Sequence, residues 1–126
     1  MTTLAEALNL VLTLLQASAL CSTVRVVETL QFSDRQFALK VRAELILGST
    51  LQVRLYQNER HTDYAYQVFR DDLPLLRWDN KEHFPDLATQ PHHFHTSTGS
   101  VTDSALIGDP AHDLPLVLDY LTTFVD

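Results

Sequence analysis

Residues 37–55, FALKVRAELILGSTLQVRL, carry an apolar side chain at nearly every second position. This is the period of a β-strand with one buried face. The pair Gly48-Ser49 interrupts the alternation and predicts a turn between two strands. The stretch therefore predicts a β-hairpin that buries one face and leaves the other mostly polar. Its buried face would comprise Phe37, Leu39, Val41, Ala43, Leu45 and Leu47, followed by Leu51, Val53 and Leu55.

Further strands are predicted on both sides of this hairpin. Val24–Phe32 precedes it, and Asp63–Phe69 and Leu75–Trp78 follow it, the last two joined by Asp71-Asp72-Leu73-Pro74. Successive strands with short connections usually lie side by side and run antiparallel. We therefore expect an antiparallel β-meander of about five strands.

Apolar residues recur every three or four positions near both ends of the chain, as in a helix with one apolar face. Thr2 or Thr3 is the predicted cap of the first helix, and Asp113 that of the second, with Pro115 in its first turn. Two helices packed on a half-polar sheet predict an α+β fold, a two-layer sandwich. The apolar faces comprise Leu4, Leu8, Val11, Leu12, Leu15 and Ala19, then Leu114, Val117, Leu118, Leu121 and Phe124 or Val125.

Length and composition indicate an ordinary globular chain. Its 126 residues suit a single domain, 1–126, and 45% of them are hydrophobic. Residues 7–20 are apolar, but no basic residue precedes them, so we expect a helix of a soluble protein that is neither exported nor membrane-spanning. Cys21 is the lone cysteine, which excludes a disulfide within the chain and a CxxC zinc site and fits the cytoplasm.

The charges are divided along the chain. All nine Lys and Arg residues lie between positions 25 and 81, whereas the chain from Glu82 onward has acidic residues and no Lys or Arg. The net charge is −7. Such a division can serve solubility alone, or it can prepare the acidic end for a basic partner.

Residues 79–112 show no strong periodicity and form a stretch longer than most loops. Aromatic residues in and beside it, such as Trp78 and Phe84, predict that it is an ordered loop anchored by burial. Residues 83–95 within it hold four of the six histidines, which makes it the predicted site loop. These histidines are His83, His92, His93 and His95.

The histidine spacing permits a metal site. His92 and His95 are three residues apart and His93 and His95 two, spacings that converge in a helical turn or in a strand. His83 or Asp79 would complete such a ligand set.

The same residues suit general acid–base chemistry. Two imidazoles can deprotonate a ribose 2′-hydroxyl and protonate the leaving oxygen of a phosphodiester, and Arg77 or Lys81 can offset the charge that develops. A third interpretation is that the histidines only form polar loop contacts.

The run from Tyr64 to His95 resembles the core of TumE-type toxins of prokaryotic toxin–antitoxin modules. The resemblance implies a cytoplasmic toxin that acts as a ribonuclease and blocks translation, with RNA as substrate and a helix-turn-helix antitoxin as partner. It leaves a homo-oligomer open. Its motifs are Tyr64-x-Tyr66, the corner Arg77-Trp78-Asp79-Asn80, His83-x-Pro85, and Pro91-His92-His93-x-His95.

From the residues and the resemblance together we predict a metal-independent endoribonuclease without a cofactor, although a divalent metal is not excluded. Its acid–base groups come from His83, His92, His93 and His95. Two alternatives stay open: a metal-dependent nuclease or hydrolase, and a non-catalytic interaction module that uses the acidic end. The predicted supporting residues are Tyr64, Tyr66, Arg77, Trp78, Asp79, Asn80 and Lys81.

Several positions have a functional and a structural interpretation. Family members often carry Lys where this chain has Phe94, which can instead stack on a base or pack. Asp79 can hold an imidazole or cap a turn. Arg42 and Arg54 are predicted to lie on the polar face of the hairpin. They can form an RNA-binding surface there, or they can simply be solvated. His61 and His112 are predicted to be solvent-exposed bystanders.

Overall fold

The computed structural model describes residues 2–124, which form two helices and seven strands. The chain begins with a helix and ends with a helix, and the strands lie between them. The helices are α1 (Leu4–Ala17) and α2 (Pro110–Thr123), and the strands are β1 (Cys21–Ser33), β2 (Gln36–Leu45), β3 (Thr50–Gln57), β4 (Thr62–Arg70), β5 (Leu73–Asp79), β6 (His93–His95) and β7 (Val101–Asp103).

The strands form one antiparallel sheet in which each lies beside its neighbours in sequence. The predicted α+β architecture with an antiparallel meander is confirmed. The count of about five strands was wrong, because β6 and β7 lie inside residues 79–112, which were predicted to be loop. Each has only three residues, too few to produce a periodic signal.

One face of the sheet is buried as the hairpin predicted. The alternate residues of β2 from Phe37 to Leu45 and those of β3 from Leu51 to Leu55 lie in the core. Leu47 was wrongly predicted to join them and is 58% exposed. The strand ends at Leu45, whose amide bonds the Ser49 carbonyl, and Gly48 takes a φ of 92° in the turn.

Both helices pack on this buried face, which we call the helix face. In α1, Thr3 is the N-cap and forms a capping box with Glu6. The cap of α2 is Asp109 and not Asp113, because the helix begins at Pro110, one turn earlier than the apolar pattern indicated. Pro115 consequently lies inside the helix and not in its first turn. Val125, a candidate for the apolar face, lies outside the described residues.

The opposite face of the sheet, which we call the open face, carries no helix in residues 2–124. Lys40 and Arg42 of β2 and Arg54 of β3 alternate with the core residues and therefore lie on it. At one edge, β1 is exposed along most of its length. No helix in the described part of the chain is long and apolar enough to cross a membrane.

Strand β5 enters the sheet through a tight turn. Asp71 and Asp72 have φ values of 50° and 65°, so both adopt the left-handed conformation of a two-residue hairpin turn. The strand then begins at Leu73, and Pro74 lies within it beside a register shift at Val68 and Phe69. This turn aligns the far end of β5 with the middle of the sheet, where Asp79 lies opposite Ala65.

Candidate active site

The pairing of β5 with β6 divides the predicted site residues between the two faces of the sheet. Asp79 lies opposite His93, and Arg77 opposite His95. These four belong to the open face, because Asp79 pairs through Ala65 with Arg54. Trp78, between Arg77 and Asp79, belongs to the helix face. The register of one short strand therefore assembles a cluster of two imidazoles, a carboxylate and a guanidinium.

Asp79 is the centre of this cluster and is almost fully buried. Its carboxylate accepts hydrogen bonds from Arg77 Nε and from the backbone amide of Lys81, and His93 Nε2 lies 2.9 Å from its Oδ1. Burial would raise the pKa of Asp79. The hydrogen bonds from Arg77 and Lys81, with the positive charges of His93 and Arg77, outweigh burial and lower it. Asp79 is therefore a fixed negative charge at neutral pH.

His93 is held from both sides of its ring. Its Nε2 faces the Asp79 carboxylate, and its Nδ1 lies 3.1 Å from the Pro91 carbonyl oxygen. Both neighbours are acceptors, so both contacts are hydrogen bonds when each ring nitrogen carries a proton. The ring is 1% exposed. His93 can therefore orient and charge its surroundings, but it is closed off from a large substrate.

His95 is the accessible imidazole of the cluster. Its side chain is 36% exposed, and its Nε2 lies 3.9 Å from Asp79 Oδ2. Burial lowers the pKa of His95, and the positive charge of His93 lowers it further. The negative charge of Asp79 raises this pKa, and the positive charge of Arg77 lowers it again, so the net shift is downward. A neutral imidazole that reaches solvent beside a guanidinium can accept a proton from a substrate.

Phe84 is a member of the site that the sequence indicated only as a loop anchor. Its ring contacts His93 at 4.8 Å and His95 at 5.8 Å between centroids, both edge-on. His83 lies next to it, exposed, with its ring 6.5 Å from that of Phe84. The position of Phe84 between His83 and Pro85 in the His-x-Pro step was the available signal. Phe84 shields His93 from solvent and connects His83 to His95.

His92 is separated from the other histidines. It stacks on Tyr64 with ring centroids 5.9 Å apart, and its Nδ1 lies 2.9 Å from the Tyr64 hydroxyl. Burial raises the pKa of Tyr64, and the charges of Asp113 and Asp79 raise it further, so the phenol keeps its proton and donates it to His92 Nδ1 whenever that nitrogen is unprotonated. Burial lowers the pKa of His92. The negative charge of Asp113 raises this pKa, and the positive charge of His93 lowers it. This pair secures the loop.

The remaining aromatic residues of the motif pack in the core. Trp78 stacks on Phe94 with centroids 4.5 Å apart, and Tyr120 of α2 contacts both rings. Tyr66 is also buried on the helix face. Phe94 points away from His93 and His95, so it cannot stack on a base at the cluster, and a Lys at this position would not face the cluster.

Asn80 and Lys81 continue the corner after β5. The Asn80 side chain accepts a hydrogen bond from the backbone amide of Tyr64 and donates one to the Thr62 carbonyl oxygen, which ties the corner to the start of β4. Lys81 donates its backbone amide to Asp79, and its side chain borders a hollow of the open face next to Arg54. Asn80 is thus structural, whereas Lys81 is available to a ligand.

The two predicted bystanders differ in their contacts. His61 is exposed, with Nε2 3.5 Å from Asp63. His112 is partly exposed, but its Nδ1 lies 2.8 Å from the carboxylate of Asp113. Asp113 itself is fully buried and accepts hydrogen bonds from the amides of Ile107 and Gly108. It fastens the loop before α2 and is not an exposed charge.

The cluster also has the composition of a metal site. The ligand atoms of Asp79, His93 and His95 lie within 4.8 Å of one another. The bond between His93 Nδ1 and Pro91 is of the kind that orients metal-bound histidines with Nε2 toward the ion. The Arg77 guanidinium, bonded to the same carboxylate, opposes a cation. The residues fit a divalent ion in number and type, with one unfavourable charge beside it.

A protein-family model described as Toxin TumE matches residues 11–125. The predicted resemblance is therefore confirmed, and it extends well beyond the motif from Tyr64 to His95. No curated protein and no solved structure matches the chain.

Proposed function

The chain belongs to the TumE toxin family, and from this premise and the cluster around Asp79 we propose that it is an endoribonuclease that inhibits translation. The observation that carries the proposal is the accessible His95, which lies beside Arg77 and the buried pair of His93 and Asp79. An acid–base group next to a fixed cation is what cleavage of a phosphodiester requires.

In the proposed reaction His95 is the general base. It takes the proton from a ribose 2′-hydroxyl, and the 2′-oxygen attacks the adjacent phosphorus as the bond to the 5′-oxygen breaks. Arg77 stabilises the negative charge that develops on the phosphoryl oxygens. The leaving 5′-oxygen takes a proton from His83, the other exposed imidazole beside Phe84. The products are a 2′,3′-cyclic phosphate and a 5′-hydroxyl end.

His93 and Asp79 are positioning residues in this proposal. They are too buried to touch RNA, but they hold Arg77 and His95 on one side of the sheet. The charge on His93 also lowers the pKa of His95, which keeps His95 able to accept a proton. His92 and Tyr64 have no part in the chemistry.

Cleavage of a 5′-labelled RNA by the purified protein tests the proposal. We expect His95→Ala to reduce the cleavage rate by about 100-fold, because removing a general base typically has an effect of this size. His92→Ala is the matched control, since it removes another partly buried imidazole three residues earlier in the chain and should retain cleavage. Circular dichroism verifies that both variants fold.

Two results would contradict the proposal. One is RNA that stays intact in the presence of the wild-type protein. The other is a His95→Ala variant that cleaves RNA and arrests growth as the wild type does. Growth arrest without RNA cleavage would favour an interaction module instead.

A metal-dependent hydrolase is the second candidate, favoured by the convergence of Asp79, His93 and His95. In this case the three residues would hold a divalent ion, which would lower the pKa of a bound water and so supply a nucleophile. Dialysis against a chelator, followed by the cleavage assay, separates the two candidates. Loss of cleavage that Zn²⁺ or Mn²⁺ restores supports the metal, whereas unchanged cleavage rejects it.

We also propose an antitoxin with a helix-turn-helix domain as the partner of this chain. Its neutralising segment would carry positive charge, because exposed acidic residues line the C-terminal part, among them Asp103, Asp109 and Asp119. Asp119→Ala should weaken neutralisation more at low salt than at high salt, since exposed charges are screened. Equal weakening at both salt concentrations would contradict an electrostatic contact.

A further inference from the structure

Two rows of side chains cross the open face from the active site to the opposite edge of the sheet. They follow from strand register, because residues opposite each other in adjacent strands point to the same face. The first row is His93, Asp79, Ala65, Arg54, Lys40 and Glu28, and the second is His95, Arg77, Gln67, Gln52, Arg42 and Arg25. The active site is therefore one end of a basic surface.

The cations of this surface lie next to one another. Lys40 is directly opposite Arg54 on one side and Glu28 on the other, and Arg25 is directly opposite Arg42. Like charges in such positions destabilise a sheet. Arg42 donates a hydrogen bond to Gln52, but none of the four forms an ion pair with another residue of the described chain. A bound anion would remove this repulsion.

A hollow of about 420 Å³ lies along the first row, between the active site and β1. Lys40, Arg54 and Lys81 line it with Tyr56, and two carboxylates, Glu28 and Asp63, reduce its positive charge to a net +1. The Tyr56 ring is partly exposed and also contacts His61, with centroids 6.5 Å apart. Cations beside an accessible aromatic ring are the combination that binds the phosphates and unpaired bases of single-stranded nucleic acid.

The aromatic part of the surface extends from the hollow toward β1. The ring of Phe32 lies 6.5 Å from that of Tyr56, and Phe32 is 58% exposed. Gln36 donates a hydrogen bond of 2.6 Å to the Tyr56 hydroxyl and so fixes the ring. An apolar ring as exposed as that of Phe32 is poorly explained by packing and well suited to stacking on a base.

We propose that the open face binds single-stranded RNA, with phosphates at Lys40, Arg54 and Lys81 and a base stacked on Tyr56. This inference rests on the proposed function, since it assigns the path by which the substrate reaches His95. Arg54 lies three strands from His93, roughly 15 Å at the usual strand spacing, which a few nucleotides span. The positive face also accounts for RNA binding by a chain of net charge −7.

The first test measures binding of a fluorescent single-stranded RNA by anisotropy, in a His95→Ala background that prevents cleavage. We expect Lys40→Ala/Arg54→Ala to weaken binding and to reduce the slope of log K against log salt by about 1.4, since each phosphate contact to a single strand contributes about 0.7. The matched control is Arg35→Ala/Arg70→Ala, which removes the same charge at the two ends of the sheet. The inference is wrong if both pairs have the same effect.

The second test examines the stacked base. Tyr56→Leu should weaken binding by about tenfold, because stacking of one base contributes about 1–3 kcal/mol. Tyr56→Phe keeps the ring and should bind as the wild type does. Equal binding by the Leu and Phe variants would reject stacking, and so would wild-type binding to a duplex of the same sequence that is as tight as binding to the single strand.

The two acidic residues of the hollow provide a test with the opposite sign. Glu28→Gln and Asp63→Asn each remove a negative charge near the phosphates and should strengthen RNA binding. Weaker binding in both variants would indicate that the hollow holds a cation and would overturn the inference.

The RNA-binding inference and the nuclease proposal can fail independently of each other. RNA binding that follows the expected pattern without any cleavage supports the inference and rejects the nuclease. Cleavage by the wild type, with Lys40→Ala/Arg54→Ala behaving as the control pair, retains the nuclease and rejects the inference. If that pair binds RNA normally but escapes the antitoxin, the open face is a protein interface and the inference is wrong.

Discussion

The carboxylate of Asp79 and the imidazole of His93 meet inside the protein, with Oδ1 and Nε2 2.9 Å apart and both side chains at most 4% exposed. Arg77 bonds the other carboxylate oxygen. A buried charge of this kind is tolerable because its hydrogen-bonding capacity is filled. The pair therefore determines both the stability of the β5–β6 corner and the charge next to His95.

Asp79→Asn should lower the free energy of unfolding by about 3 kcal/mol, because removing one partner of a buried pair leaves the other charge uncompensated. Urea denaturation followed by circular dichroism measures the change. The control is Asp63→Asn, whose partner His61 is exposed, and which should change stability by less than about 1 kcal/mol. Similar losses in the two variants would argue against the buried pair.

The pH dependence of RNA cleavage should reflect the protonation of His95. A general base works when it is neutral, and the pKa of His95 is lowered by burial and by the positive charge of His93. On the acid side of the profile, cleavage should therefore persist below pH 6.5 and decline as the pH falls through the lowered pKa of His95. Single-turnover rates between pH 4.5 and 8 would measure this.

Arg77→Gln removes one of the positive charges that lower the pKa of His95, so it should shift the decline to higher pH as well as slow the reaction. His92→Gln alters a histidine outside the cluster and should leave the profile in place. A wild-type decline centred above pH 6.5 would be inconsistent with His95 as the base.

Phe94→Lys tests whether this chain needs the basic residue that family members often carry there. Phe94 stacks on Trp78 in the core, so we expect the substitution to destabilise the protein by about 3 kcal/mol without raising the cleavage rate. Thermal or urea unfolding and the cleavage assay measure the two effects. Phe94→Leu, which keeps an apolar side chain, should cost less, and a faster Lys variant would show that position 94 reaches the substrate.

Asp113→Ala should be strongly destabilising even though Asp113 lies in the acidic C-terminal part. Its carboxylate is buried and accepts the amides of Ile107 and Gly108, and leaving those groups unpaired costs about 3 kcal/mol in total. Asp119 is exposed on the same helix, so Asp119→Ala should change stability by less than about 0.5 kcal/mol. Urea denaturation measures the free energy of unfolding of the two variants. Equal losses of stability would contradict a structural role for Asp113.

Part of the fold was predictable because it depends on local periodicity. The alternation of residues 37–55 identified the buried face of β2 and β3, and the spacing of Leu4, Val11 and Leu15 identified the apolar face of α1. Such patterns can be read from the sequence because each residue's side of a strand or helix follows from its number alone. Strands β6 and β7 have three residues each, which is too few to produce a recognisable pattern of alternation.

The sequence by itself determined which residue types gather in the motif from Tyr64 to His95, and the family to which the chain belongs. Tertiary structure decided which of the four histidines lie together. His93 and His95 meet Asp79 and Arg77 because β6 pairs with β5 in one register, whereas His92, one residue before the strand, bonds Tyr64 on the other side. Strand register depends on contacts between segments distant in sequence, so local spacing cannot specify it. Strand register also places Lys40 and Arg54 on the same face of the sheet as Asp79. The spacing of these residues in the sequence does not predict this arrangement.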